Sequence, residues 1–171
     1  PILSDINEET LTAVSGSHMS GKSDADVGYF LIQNELSLTF FPNGIENFFP
    51  NLTAISLYNC SISTLSGYEL VPFNNLRWIA LGYQRKLERI PGRFFAFTPL
   101  MQTISIFNNN IKHVGENLLT SLSQLTYLSF TGNYCINKYG ANSSEIFSLI
   151  EHLRTNCTDI EPSCGDICDL E

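Results

Sequence analysis

Three residue sets in this chain have types and spacings that could do chemistry. Five cysteines stand at Cys60, Cys135, Cys157, Cys164 and Cys168, and three of them crowd the last fifteen residues. That arrangement suits disulfide formation in an oxidising compartment, and the odd count leaves at least one thiol over. Four sequons, at Asn51, Asn59, Asn142 and Asn156, are acceptors for N-linked glycan and point the same way. The third set, His18, His113 and His152, matches no metal-ligand spacing. There is no nucleophile elbow and no glycine-rich phosphate loop after a strand, so the reading is a non-enzyme with no cofactor or metal.

Composition narrows the classes further. With 171 residues, 43% of them hydrophobic, the chain can bury one sizeable core, and a net charge of −8 provides no general positive field for nucleic acid. No apolar run approaches the roughly 18 residues of a membrane span, and the first residues lack a basic stretch followed by an apolar one. The basic residues gather instead at Arg77, Arg85, Lys86, Arg89 and Arg93, a charge cluster that suits either an acidic partner or a solvated edge.

The elements that must carry these residues show in an internal repeat. Phe30, Ile55, Ile79, Ile104 and Leu128 recur at separations of 25, 24, 25 and 24 residues. Two residues after each comes Ile32, Leu57, Leu81, Ile106 or Phe130. Three before comes Val27, Leu52, Leu76, Met101 or Leu125. Three after the second apolar position stand Glu35, Cys60, Gln84, Asn109 and Asn133. From about Val27 to Cys135 this resembles the leucine-rich repeat, LxxLxLxxN/CxL. The resemblance implies an α/β solenoid, a horseshoe with one short parallel strand per turn on its concave face. It also implies that Asn109 is a structural amide inside the coil, with Asn108 and Asn110 facing out, and that Cys60 is a buried ladder residue. Glu35 departs from the ladder pattern, and the third copy holds an extra residue before Leu87, so the first and third turns are expected to be the least regular. Phe48, Phe49, Phe94, Phe95, Leu118, Leu119 and Leu122 fall on the return segments, where some should stack as a convex spine.

A solenoid needs its last turn covered. After "NYCINKYGAN", Ser143 or Ser144 can cap a helix with Glu145 in its first turn, and Ile146, Leu149, Ile150 and Leu153 then share one face. A Cys135–Cys157 bridge would staple this lid to the coil. Such an end is similar to that of insect secreted leucine-rich-repeat proteins, including the mosquito leucine-rich-repeat immune proteins. That resemblance implies innate-immune recognition of a protein partner. Cys164 and Cys168 either pair with each other or hold a second chain, giving a homo- or heterodimer. The expected divisions are thus residues 1–26 as a cap or a vector-derived segment, 27–136 as about five repeats, 137–160 as the helical cap, and 161–171 as a cysteine-containing acidic tail. Gly16-Ser17-His18-Met19 reads like a vector remnant.

Side chains that alternate with the inward ones must line the concave face. They form three columns: Tyr29, Ala54, Trp78, Thr103 and Tyr127; Leu31, Ser56, Ala80, Ser105 and Ser129; Gln33, Tyr58, Gly82, Phe107 and Thr131. None is charged. Tyr29, Tyr58, Trp78, Phe107 and Tyr127 around small residues make a candidate recognition trough on a secreted module. Two readings compete with it: these rings merely pack on one another, or the chain is a fragment of an adhesion or receptor ectodomain or a scaffold assembling through its tail.

Overall fold

In the computed structural model, which describes residues 2–3 and 10–157, the chain winds as a coil of stacked parallel strands closed by a helix. Near the start, β1 (Ile2–Leu3) pairs antiparallel with β2 (Val14–Ser15). The coil proper uses β3 (Tyr29–Gln33), β4 (Ala54–Tyr58), β5 (Trp78–Gly82), β7 (Thr103–Phe107) and β9 (Tyr127–Ser129), paired in parallel in that order. A short antiparallel strand, β10 (Tyr139–Gly140), ends the sheet on β9. On the far side of the coil β6 (Arg89–Ile90) pairs with β8 (His113–Val114). The fold is therefore the solenoid that the resemblance to the leucine-rich repeat implies.

The register follows the apolar period residue for residue: Phe30, Ile55, Ile79, Ile104 and Leu128 are successive partners. A slip of one would turn every apolar side chain outward. Ile55, Ile79, Ile104, Leu57, Leu81 and Ile106 are wholly buried between turns. The convex side is filled by Phe49, Phe94 and Phe95, all fully buried, with Leu118 and Leu122 nearly so and Phe48 and Leu119 half-buried. Phe94 meets Phe95 edge-on at 4.9 Å, one of the preferred aromatic geometries. A single helical turn, α1 (Ile45–Phe48), starts from Gly44, whose φ of 80° is easy only for glycine.

The ladder residues work as the asparagine pattern requires, and each serves the turn before its own. Asn109 Nδ2 donates to Leu81 O at 2.9 Å and its Oδ1 accepts from Gln84 N at 2.7 Å. Asn133 Nδ2 donates to Ile106 O at 2.8 Å. Gln84, wholly buried, donates to Leu57 O at 3.0 Å and accepts from Ile62 N at 3.2 Å. These bonds satisfy loop groups that have no sheet partner, so the interior carries no orphaned polar atom there. Asn108 is exposed, and Asn110 reaches Glu88 Oε1 at 3.0 Å.

The first and third turns keep their strand register, contrary to the expectation of irregularity. Their extra residue is taken up after the ladder slot by a four-residue turn, with Leu38 N donating to Glu35 O at 3.2 Å and Leu87 N to Gln84 O at 3.0 Å. Glu35 is tolerated because its carboxylate turns to the exposed Ser37, accepting from the amide and hydroxyl, which holds its pKa below the usual carboxylate value.

At the other end α2 (Ser143–Asn156) covers the coil with Ile146, Leu149 and Leu153 buried. Its N-cap is Asn142, one residue before the serines expected to do this. Asn142 has extended backbone and its Oδ1 accepts from Glu145 N at 3.0 Å, while Glu145 Oε2 accepts from Ala141 N at 2.9 Å. Cys135 and Cys157 form a disulfide with Cα atoms 5.4 Å apart, tying the end of α2 to the fifth ladder loop. Before the coil, Leu11 is buried and its amide donates to Asn43 O at 2.7 Å, so this segment packs against the first turn.

Candidate recognition surface

Each concave column lies across the strands at one register position, so its side chains are held about 4.8 Å apart by backbone pairing alone. In the first column Tyr29 is partnered by Ala54 and Ala54 by Trp78. The two rings, two strands apart, meet edge-on at 5.8 Å across the small alanine. In the third column Tyr58 and Phe107 flank Gly82, and their ring centroids lie 6.3 Å apart. A Cβ on Gly82 would stand 2.5 Å from Phe107 Cζ, so only glycine lets that ring lie where it does. Large and small residues thus alternate down both outer columns.

The middle column is the floor. Ser56, Ala80 and Ser129 are only 7%, 6% and 2% exposed although they hold the concave register position. Leu31, at the open end, is 44% exposed. Of the five aromatics singled out in the sequence, Tyr29 and Tyr58 are exposed and Trp78, Phe107 and Tyr127 are half-buried. The rings do pack on one another, and they also present their outer faces. Mutual contact restrains them, which lowers the entropy lost when a partner orders them.

Two members of this surface escaped the sequence columns. Tyr83 meets Tyr58 at 5.0 Å and Phe107 at 5.8 Å, from a left-handed backbone with φ of 57° just past β5. Tyr139, 61% exposed on β10, stacks on Tyr127 at 6.3 Å. The signal for Tyr83 was positional: Asn34, Asn59, Tyr83, Asn108 and Gly132 hold the left-handed site of every turn, a place that asparagine and glycine favour. Tyr58 has its phenol pKa pushed up by partial burial and by the neighbouring Tyr83 hydroxyl.

The remaining candidates fall elsewhere. The basic cluster is divided: Arg77 precedes β5 while Arg85 and Lys86 lie beyond its end, on opposite sides of a strand roughly 16 Å long. Arg93 leans on the Tyr68 hydroxyl at 3.3 Å. Cys60 is buried in its ladder slot, its Sγ directed at Tyr58 O, and burial raises its thiol pKa, which makes it a poor nucleophile. His152 sits 2.6 Å from Lys138 Nζ and His18 2.6 Å from Asp24 Oδ1, at separate sites. Among the described residues no group of three or more His, Cys, Asp or Glu could hold a metal, and no helix is long and apolar enough to cross a membrane. Asn51, Asn59, Asn142 and Asn156 all lie off the concave columns. Cys164 and Cys168 lie outside the described residues.

A search of curated proteins returns no match. Residues 74–134 match the family model described as leucine rich repeat, a fold that typically serves protein interaction, and this stretch runs from the approach to β5 to the last ladder asparagine. The matched stretch lies within the stacked coil, whose fold is the leucine-rich-repeat solenoid.

Proposed function

We propose that this domain is a secreted recognition module that binds a protein partner through its concave face. One observation carries the reading: an uncharged floor of small residues lies between restrained rings, Tyr29 against Trp78 in one outer column and Tyr58, Tyr83 and Phe107 against one another at the other. A patch without charge imposes little desolvation cost, and aromatic anchors already held in place give much contact area for little lost freedom. Such a face selects a partner with an uncharged, apolar contact strip, since a buried charge would find no counter-charge there. The Cys135–Cys157 bridge supports an oxidising compartment. Innate-immune recognition is the setting that resemblance to the mosquito leucine-rich-repeat immune proteins suggests.

The test is a paired substitution, Trp78→Ala with Tyr127→Ala, in a pull-down from culture medium or haemolymph. Loss of captured protein by tenfold or more, with circular dichroism unchanged, is the expected result. Undiminished capture would move the binding site off this face and favour assembly through the tail cysteines.

A further inference from the structure

We infer that Asn142 is an N-glycan acceptor that the folded domain is built to carry, whereas Asn59 is not. The inference rests on the secretory reading above. Asn142 is exposed, as are Ser143 and Ser144, which complete its sequon. Its side chain does structural work through one atom only: Oδ1 accepts from Glu145 N and caps α2. Nδ2 has no partner. The glycan bond forms at Nδ2, so the cap and the modification use different atoms of the same amide.

The sequons at Asn59 and Asn51 lack this division. Asn59 Nδ2 donates to Asn34 Oδ1 at 2.8 Å, the residue is half-buried in the left-handed conformation, and the buried Cys60 follows it. A glycan there would also crowd Tyr58 on the trough rim. Asn51 Nδ2 donates to Ala25 O at 2.9 Å. Asn156 is followed by Cys157, whose sulfur is in the disulfide.

In the transfer itself, Nδ2 of Asn142 bonds to the anomeric carbon of an oligosaccharide carried on a lipid pyrophosphate. The bond from that carbon to the phosphate oxygen breaks, the lipid pyrophosphate leaves, and one amide proton is lost. Nothing is oxidised or reduced.

The experiment expresses the chain behind a cleavable secretion leader in eukaryotic cells. Glycans are removed enzymatically in heavy-oxygen water, and peptides are mapped from both the medium and the cell fraction. Label at Asn142 and none at Asn59 is expected. Two variants separate the sequon from the cap. Ser144→Ala removes the acceptor signal and keeps the capping oxygen; Asn142→Asp keeps a capping oxygen and removes the acceptor nitrogen. Each should lose one glycan's mass with helix content unchanged. Bare Asn142 in secreted, disulfide-bonded protein, or label at Asn59 with Asn142 bare, overturns this inference alone. Protein held in the cells with free Cys135 and Cys157 thiols and no label at all overturns the secretory reading with it.

Discussion

Replacing Asn109 by alanine strips two buried backbone groups, Gln84 N and Leu81 O, of their partner in one step. Each orphaned group costs about 1–3 kcal/mol, so Asn109→Ala should lower unfolding stability by on the order of 3 kcal/mol in a denaturant titration. The neighbouring Asn110→Ala loses only a bond to the exposed Glu88 and should cost under about 1 kcal/mol. Equal losses in the two variants would contradict the buried-amide role. The same residue scale shows what a sequence pattern can carry. Asn109 and Asn133 were legible as ladder amides because their spacing from the apolar pair repeats. Tyr83 was not, since its aim depends on a left-handed φ that no apolar period records.

At the scale of elements, the helical lid is held by an apolar face and by one covalent tie. The bridge spans 22 residues, and by the loop-entropy model it contributes about 3 kcal/mol. Replacing both cysteines, Cys135→Ala with Cys157→Ala, should therefore lower the thermal midpoint and loosen α2 first, seen as faster amide exchange in Ser143–Asn156 than in β5. A midpoint unchanged by the double substitution would show that the apolar face alone seats the lid. The strands and the lid helix were both readable beforehand, down to Ile146, Leu149 and Leu153. The cap residue was displaced by one, because serine and asparagine are near-equal caps and only the extended backbone at Asn142 decides between them. β10 carried no such pattern: two residues, paired antiparallel, leave no period to detect, and Tyr139 went unread with it.

Across the whole molecule each turn leans only on its neighbours, so stability should be graded along the coil. Amide exchange is expected to be slowest in β4, β5 and β7, which have a paired strand on both sides, and faster in β3 at the end of the sheet. Uniform protection from β3 to β9 would mean the coil opens as one unit. The concave columns were legible because parallel register transmits one strand's alternation to the next. The contacts within them were not, since whether two rings touch depends on the small residue between.

The two turn lengths alternate, long, short, long, short, and each long one absorbs its surplus residue in the same turn after the ladder slot. Phe30, Ile79 and Leu128 are therefore equivalent at a spacing of 49 residues, as are Ile55 and Ile104. The natural unit of growth for this coil is a matched couple of turns. Duplicating or deleting one such couple preserves every junction type, whereas adding a lone turn sets two of equal length side by side.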